Sequence, residues 1–429
     1  MRVLVVGASG LVGAAVTARL VEAGCDVIGV GRNITAARRR MPLVTWRRAD
    51  LAKASVADWI EVASGVDAVV DCAGALQDGP RDDLESVHVD GVAALAKACV
   101  TARIRRFVLI SAAGLERSAS AFSETKLAGE AMLGRFDLDW VVLRPGLVLG
   151  PSAYGGSALL RGLAAFPLAI PAVLADRTAQ VVAADDVAEA VARAVQPEAP
   201  MRVACDLVAP DPTTLGAVLR ALRGWLGLPP APVVSLPLVV GALVARVADA
   251  LAWLEWRSPL RTATLGQLSA GVVGEADHAP SLLGFQPKTL AELLAERPSS
   301  VQERWFARLY FVKPLMLATL ALVWISSGLV GLARLEAATA VLTHGGVPRR
   351  LALPMTIGGA AVDVILGVLA LARPTARWAL RGMIVATLAY LVGASLWRPD
   401  LWADPLGPLL KAIPIAVLAV ATLSVMDER

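Results

Sequence analysis

The sequence predicts a doubly wound parallel α/β sheet at the N-terminus, a small helical lobe after it, and a bundle of four membrane-spanning helices. Over the first 206 residues, short apolar segments alternate with helical ones, as in a parallel sheet covered on both faces. Three glycines, each three residues from the next, follow the first apolar segment. After about residue 311 come four apolar runs, each close to the approximately 20 residues that a bilayer core needs.

The composition indicates that part of the chain is solvated by lipid. Its 429 residues suffice for two or three domains. They are 56% hydrophobic and 18% charged, against about 45–50% and about 25% in ordinary globular proteins. The net charge of +4 is spread along the chain and predicts no nucleic-acid partner. Four irregularly spaced cysteines predict reduced thiols and no metal site, and the first residues predict no signal peptide.

The first thirteen residues predict a strand, a glycine turn and the start of a helix. Glycines with this spacing permit a sharp turn, a close approach of the backbone to a pyrophosphate, and tight packing of helix on strand. Free N–H groups at the helix N-terminus then attract the phosphates. The alternative to a nucleotide-binding turn is a plain tight turn before a helix. The glycine spacing here is G-x-x-G-x-x-G, which differs from the common G-x-G-x-x-G. We expect a dinucleotide to contact Gly7, Ser9, Gly10, Leu11, Val12 and Gly13.

The carboxyl ends of the predicted strands provide the remaining candidate residues, because cofactors bind at that edge of such a sheet. Strands are predicted at 3–6, 27–30, 43–46, 68–71, 106–110 and 140–143, and helices at 55–63, 87–102 and 123–133. We expect five of the residues after these strands at the cofactor. Asp50 and Leu51 follow the third strand, and Cys72, Ala73 and Gly74 follow the fourth.

The residue after the second strand favours NADP(H) over NAD(H). Sites that prefer NAD place an acid there, whereas this chain has Arg32. A guanidinium can grip a 2′-phosphate with two hydrogen bonds. The nearby Arg38, Arg39 and Arg40 are better explained as a solvated helix face.

Six motifs, GASGLVG, ADL, CAG, SAAG, FSETK and LRPG, occur in this order, and the first 300 or so residues resemble the short-chain dehydrogenase/reductase superfamily. The likeness is to its extended or atypical branch, and a Rossmann-type fold is implied. In that superfamily a serine after the fifth strand and a Tyr-x-x-x-Lys pair are catalytic. The resemblance implies that Ser111 orients a carbonyl and that Lys126 binds the cofactor ribose. Phe122 stands where the superfamily has its tyrosine.

This departure removes the usual proton donor, because a phenyl ring cannot transfer a proton. Tyr154, in a glycine-rich loop, is the candidate replacement, although loop residues often only shape a pocket. Ser111 has the alternative role of capping local backbone.

The domains are predicted at 1–206 for the nucleotide-binding part, 207–302 for the lobe and 303–429 for the membrane part, which has spans near 312–332, 351–371, 380–396 and 406–426. Within the lobe, the apolar segment 234–256 includes Arg246, Asp249 and Glu255. These charges argue against a span and leave two options, a core helix or an amphipathic helix on a membrane surface.

The flanks of the spans predict the orientation. Tryptophans stand at the ends of the runs, as at membrane interfaces. Four spans place both termini on one side, and that side has more cations, which predicts a multi-pass cell (inner) membrane protein with a cytoplasmic nucleotide domain. The cations counted on that side are Arg304, Arg308, Lys313, Arg373, Arg377, Arg381 and Arg429; those opposite are Arg334, Arg349, Arg350 and Arg398.

Two patterns in the spans, residues 324–328 and Asp363-x-x-x-Gly367, resemble DoxX-like four-helix membrane domains. A carboxylate inside a membrane faces a bundle interior or a cavity. Asp363 is therefore either a proton or redox relay or a hydrogen-bonded contact between helices.

Three functions remain open on the sequence. The first is an NADP(H)-dependent oxidoreductase that acts on a small lipophilic carbonyl or quinone drawn from the lipid bilayer. The second is a non-catalytic nucleotide-binding sensor or structural module. The third, a nucleotide-sugar epimerase-like enzyme, is the least favoured because of Phe122.

Overall fold

A computed structural model describes residues 1–79, 83–256 and 258–426 of the chain. Arg429, one of the cations in the charge comparison, lies outside these residues. The α/β half and the helical half that the sequence predicts are both confirmed.

The chain forms two compact units, and each of them is built from two stretches of sequence. The first unit contains Met1–Asp249 and Ser258–Ala307, and the second contains Ala250–Arg257 and Arg308–Arg429. The short segment 250–257 thus belongs with the C-terminal helices. The boundaries predicted for the lobe stay a prediction.

Seven parallel strands form the main sheet of the first unit, in the order 11-6-5-4-1-2-3. The strands of this unit are β1 (Arg2–Val6), β2 (Asp26–Gly31), β3 (Thr45–Arg48), β4 (Ala68–Asp71), β5 (Arg106–Ile110), β6 (Asp139–Pro145), β7 (Leu147–Leu149), β8 (Ile170–Val173), β9 (Thr178–Ala179), β10 (Val181–Ala183), β11 (Val203–Leu207), β12 (Thr213–Thr214) and β13 (Val233–Leu236). The order reverses at β1, whose neighbours are β2 and β4, as in a doubly wound fold.

Helices cover both faces of this sheet. The helices up to residue 296 are α1 (Leu11–Glu22), α2 (Thr35–Arg40), α3 (Val56–Val62), α4 (Gly91–Thr101), α5 (Ala121–Leu133), α6 (Gly156–Ala164), α7 (Ala184–Ala194), α8 (Leu215–Trp225), α9 (Leu238–Ala252), α10 (Thr262–Ala270), α11 (His278–Leu283) and α12 (Leu290–Glu296). Successive residues of β1 point to opposite faces. Val3 and Val5 pack with α1 and α7, whereas Leu4 and Val6 pack with α3 and α4.

Two details of the predicted sheet were wrong. β3 begins two residues later than expected, because Leu43 is 85% exposed in the preceding turn. β11 was missed altogether. It is a five-residue strand at the edge of the sheet, and only Cys205 and Leu207 in it are fully buried. Its apolar signal is therefore weaker than that of the central strands.

A third core lies away from the main sheet and draws on residues before and after position 207. Leu160 of α6, Ile170 of β8 and Leu219 of α8 are buried in it. The pairing of β13 with β8 and of β12 with β9 ties the two stretches of sequence together.

The second unit is helical. Its helices are α13 (Val301–Ala333, which starts in the first unit), α14 (Leu335–His344), α15 (Arg349–Leu371), α16 (Arg373–Trp397) and α17 (Pro408–Ser424). By length and composition α13, α15 and α16 are candidate membrane spans. α17 is apolar but has 17 residues, so the fourth predicted span is shorter than expected.

Asp363 joins three of these helices. The Ser327 hydroxyl on α13 donates to one carboxylate oxygen at 2.8 Å, and the Tyr390 hydroxyl on α16 donates to the other at 2.9 Å. The interpretation as a hydrogen-bonded helix contact is confirmed, and the relay stays a prediction. Close packing accompanies the bonds, since a Cβ on Gly328 would lie 2.4 Å from the Ala360 carbonyl oxygen.

Candidate dinucleotide-binding site

The candidate residues gather at the carboxyl edge of the sheet, where the strand order reverses at β1. Open parallel sheets bind ligands at this point, because the connections of neighbouring strands leave in opposite directions and open a crevice. The turn from β1 into α1 forms one wall. The ends of β2, β3, β4 and β5 contribute the remaining residues of the site.

The glycine turn is packed so tightly that two of its glycines have no room for a Cβ atom. Gly7 has a φ of +73°, and a Cβ on it would lie 2.9 Å from the backbone nitrogen of Ala73. A Cβ on Gly13 would lie 2.2 Å from the Gly7 carbonyl oxygen. The backbones of α1, of the turn and of the Cys72–Ala73 segment therefore touch each other directly.

The N-terminus of α1 faces this turn without a side-chain cap. Its cap residue is Gly10, and Ala14 donates the first helical hydrogen bond, to the Gly10 carbonyl at 3.0 Å. The N–H groups of Leu11, Val12 and Gly13 precede that bond. These three groups and the helix dipole make the terminus suited to phosphate. The residues present therefore fit a pyrophosphate.

The ends of β2 and β3 flank the turn. A Cβ on Gly31 would lie 3.5 Å from the Ser9 hydroxyl, so the exposed Arg32 directly follows a residue beside the turn. Asp50 accepts a hydrogen bond from the Ala52 N–H at 3.3 Å. Leu51 is buried, and its carbonyl oxygen lies 2.6 Å from the position of a Cβ on Gly91.

A buried carboxylate lies at the end of β4. Asp71 accepts a hydrogen bond from the Ala73 N–H at 2.9 Å, and its second oxygen has no partner among the described residues. Burial raises the pKa of Asp71 to about 6, although the Lys126 ammonium opposes this shift. Burial also raises the pKa of the Cys72 thiol, so this cysteine is a protonated side chain rather than a nucleophile.

Lys126 and Ser111 meet at the end of β5. The Lys126 ammonium is buried and donates to the Ile110 carbonyl at 3.1 Å, one residue before Ser111. Burial lowers the pKa of Lys126, and Asp71 counteracts this shift. The ammonium also lies 3.5 Å from the position of a Cβ on Gly74. The Ser111 hydroxyl is buried and lacks a hydrogen-bond partner within the described stretches, so it is available to a ligand atom.

Phe122 lies one helical turn before Lys126 on α5 and packs against His88. The two rings meet edge to face, with 5.7 Å between their centroids. The Ala75 N–H donates to His88 Nε2 at 3.2 Å, and Nδ1 lies 2.9 Å from the Thr125 hydroxyl oxygen. These contacts assign the proton to Nδ1. Because the ring is buried, its pKa is lowered to about 3, and the imidazole is neutral.

Tyr154 lies in the loop before α6, with 41% of its surface exposed. Its backbone N–H donates to the Ser157 hydroxyl at 3.1 Å, and this hydroxyl donates back to the Tyr154 carbonyl. These bonds fix the backbone of the loop and do not involve the phenol. A catalytic role for Tyr154 stays a prediction.

Asp71 and His88 were not among the site residues predicted from the sequence. Asp71 had a visible signal, since an acid that ends an apolar strand directly before Cys-Ala-Gly is placed at the cofactor edge. His88 had no signal in the sequence, because its position depends on how closely α5 approaches the short π-helix Ser86–Asp90. There a Cβ on Gly129 would lie 2.0 Å from the His88 carbonyl oxygen.

Replacing Gly13 by alanine should destabilise the first unit by about 1–3 kcal/mol, because the new methyl group would meet a backbone oxygen that cannot move aside. Urea denaturation of the detergent-solubilised chain, followed by tryptophan fluorescence, measures the effect. Gly224→Ala in α8 is the matched control, since nothing lies within 4 Å of its Cβ position. It should be neutral or stabilise by about 0.5–1 kcal/mol. Equal effects of the two variants would contradict the tight packing.

His88→Gln should reduce the loss of stability in mild acid. In the folded state the pKa of His88 is about 3, so between pH 6.5 and 3 only the unfolded chain takes up this proton. The stability contribution of His88 is thus present above pH 6.5 and falls by about 2 kcal/mol between pH 7 and 5. Denaturation of wild type and variant at both pH values measures this difference. His344→Gln, the control, should follow wild type, and the same pH slope in all three proteins would refute the assignment.

Two models of known protein families match this chain, and the two matches fall in different units of the structure. The model of the NAD dependent epimerase/dehydratase family matches residues 3–203, and that of the DoxX-like family matches residues 321–420. Uncharacterised proteins of Mycobacterium tuberculosis and Mycobacterium bovis are 30% identical over 270 residues. The match covers 62% of this chain but only 27% of those relatives, which are much longer.

Solved structures share the fold of the first unit. An NADPH-dependent quinone oxidoreductase from Escherichia coli, complexed with NADPH, has a TM-score of 0.54 at 19% identity and covers 68% of this chain and 99% of its own. The Bordetella bronchiseptica enzyme WbmG, in complex with NAD, has a TM-score of 0.52 at 19% identity, with 69% and 93% covered. A UDP-N-acetylglucosamine 4-epimerase from Bacillus cereus has a TM-score of 0.50 at 17% identity, with 69% and 94% covered.

The predicted resemblances are thereby confirmed at both ends of the chain. The glycine turn, the reversal of strand order and the Ser111–Lys126 pair all fall in the region matched by the first family model, and the three candidate spans overlap the second. The chain joins an N-terminal Rossmann domain of the NAD dependent epimerase/dehydratase type, within the short-chain dehydrogenase-like fold, to a C-terminal DoxX-like domain.

Proposed function

We propose that this protein is a membrane-bound, NADP(H)-dependent oxidoreductase that reduces a lipophilic quinone or carbonyl compound. The observation that carries the proposal is the buried Ser111 hydroxyl. It has no hydrogen-bond partner in the described part of the chain, and it lies one residue from the carbonyl that holds the Lys126 ammonium. A buried hydroxyl without a partner costs free energy unless a ligand completes it.

The residues around the site support binding and orientation of both reactants. The N-terminus of α1 and the glycine turn would hold the pyrophosphate, and Lys126 would donate to the ribose hydroxyls beside Gly74. A bound reduced nicotinamide supplies a hydride. Ser111 would donate a hydrogen bond to the substrate oxygen, where negative charge grows as the hydride arrives, and so lower the barrier.

Phe122 favours quinones over simple ketones as substrates. Reduction of a quinone consumes one hydride and one proton and yields a hydroquinone and the oxidised dinucleotide. The hydroquinone anion is a much weaker base than an alkoxide, so water can supply its proton without a positioned phenol. The apolar edge that Phe122 and His88 present would pack against a flat aromatic or quinonoid ring.

The C-terminal domain supports a substrate drawn from lipid. Three helices of spanning length would place the chain in a bilayer, where quinones and prenylated carbonyl compounds dissolve. With the 17-residue α17 as a fourth crossing, we place the nucleotide-binding unit and both termini on the cytoplasmic side of the inner membrane. The excess of arginine and lysine on the flanks of that side supports this orientation, and so does the location of the NADP(H) pool.

Phe122 is also the reason to keep a second candidate, a non-catalytic nucleotide-binding module. The cradle for the pyrophosphate is complete, while the usual proton donor of the short-chain dehydrogenase resemblance is absent. Such a module would bind the dinucleotide and turn nothing over. An epimerase function is disfavoured, because its reversible oxidation of a sugar hydroxyl needs a base at this position.

Purified full-length protein in detergent should oxidise NADPH when a short-chain ubiquinone or menadione is added, and Ser111→Ala should lower kcat about 100-fold by removing a donor to the developing charge. Its affinity for NADPH should stay unchanged, because Ser111 does not contact the phosphate cradle. Ser64→Ala, at an exposed serine of the same unit, is the control. If the wild-type protein binds NADPH but does not oxidise it with any added quinone, the non-catalytic module is favoured.

Arg32→Asp should reverse the cofactor preference. Loss of charge-assisted hydrogen bonds to the 2′-phosphate is worth about 1.5–3 kcal/mol, so NADPH should bind about 10–100-fold more weakly while NADH binds as well or better. Fluorescence titration with both dinucleotides measures the two affinities. Arg39→Asp, on the exposed face of α2, should leave their ratio unchanged. An equal loss for NADPH and NADH in Arg32→Asp would remove the basis for the preference.

A further inference from the structure

Helix α9 carries an apolar face that no described residue covers. Its buried residues recur at intervals of four, three and four and form the inner face; they are Gly241, Ala245, Ala248 and Ala252. On the outer face, Val239 is 78% exposed and Leu243 is 63% exposed. A surface helix normally turns charged residues to water. The inner face is packed against protein, while the exposure of the outer face fits the second of the two options that the sequence left open, which stays a prediction.

The chain just after α9 is fixed to the ends of two candidate membrane spans. The Trp256 indole N–H donates to the carbonyl of Leu371, the last residue of α15, at 2.7 Å. The N–H of Arg373, the first residue of α16, donates to the Leu254 carbonyl at 3.0 Å. All of these residues belong to the second unit. The segment that directly follows α9 is therefore bonded to the connection between these two candidate spans.

The residues around this connection are of the type that marks a membrane–water interface. Arginines occur at positions 373, 377 and 381, and the Arg381 guanidinium stacks over the ring of Trp378, 4.9 Å from its centroid. Trp253, directly after α9, is 82% exposed. Tryptophan and arginine concentrate at the level of the lipid headgroups. The segment just after α9 thus shares the chemistry of the span ends to which it is bonded.

We propose that α9 is an in-plane membrane helix, which lies along the boundary between headgroups and acyl chains with Val239, Leu243 and Val247 in the lipid. Arg246 lies at the edge of this face, where its side chain can extend to anionic headgroups while its stem stays apolar. The proposal rests on the membrane location of α15 and α16. It does not depend on hydride transfer.

The strand before α9 extends the apolar surface of the first unit. β13 leads into α9, and its Val234 helps to line a depression of about 250 Å³ whose walls expose no polar surface. Leu168, in the same depression, is 88% exposed. The residues that line it are Phe166, Pro167, Leu168, Ala169, Pro171 and Val234. Acyl chains fit such a surface, because it offers no hydrogen-bonding groups.

The test uses the full-length chain, one copy per nanodisc, in phosphatidylcholine with phosphatidylglycerol. An environment-sensitive fluorophore is attached at Val239→Cys or at Val247→Cys, and a nitroxide is placed near the top of the lipid acyl chains. Val100→Cys on α4 is the matched control, since it is an exposed valine of the nucleotide-binding region. Wild-type protein labelled in parallel corrects for the four native cysteines. Unchanged elution on gel filtration shows that each variant is folded.

We expect loss of emission with nitroxide lipid at positions 239 and 247, and none at position 100. The two tested positions should lie about 5–10 Å into the boundary region. The proposal is overturned if both are as bright as position 100 and are quenched by aqueous iodide instead. It is also overturned if neither quencher reaches them, because protein would then cover the outer face of α9. NADPH turnover, measured on the same discs, reports the proposed enzyme function separately, because the lipid quenching requires no catalysis.

Discussion

The contact between Gly13 and the Gly7 carbonyl determines how the nucleotide-binding unit is built. With no side chain at either position, α1 lies against β1 at backbone distance, and its free N–H groups open onto the crevice at the reversal of strand order. The same turn touches the backbone of Cys72 and Ala73. Three separate segments of the chain are thus held in one geometry by the absence of Cβ atoms, and the phosphate cradle needs no polar side chain of its own.

Behind this cradle lies a group of buried ionisable side chains whose charges depend on one another. Asp71 and Lys126 each lose solvation, and each favours the charged form of the other. His88 has no such partner and stays neutral. The group therefore holds one buried cation at the end of β5 and keeps the neighbouring imidazole uncharged. It can do so although the ring at position 122 is a phenylalanine, because Lys126 is held by the Ile110 carbonyl and not by a tyrosine.

The sequence predicted the parts of this structure that depend on local pattern. The glycine turn, the central strands and the long apolar helices have strong signals, since burial on both sides or in lipid leaves few polar residues in them. Edge strand β11, His88 and the exposure of α9 were not predictable in this way. Each depends on which segment packs beside it: Gly129 brings α5 against His88, and β6 pairs with β11. Local periodicity does not encode such partners.

The division of the two units has a consequence for where the chain can be truncated. The polypeptide enters the helical unit at residues 250–257, returns to the α/β unit, and enters the helical unit again after residue 307. Trp256, in the first of these two segments, packs against the core of the helical unit. A protein truncated before residue 303 would expose Trp256, and an isolated C-terminal fragment would lack it.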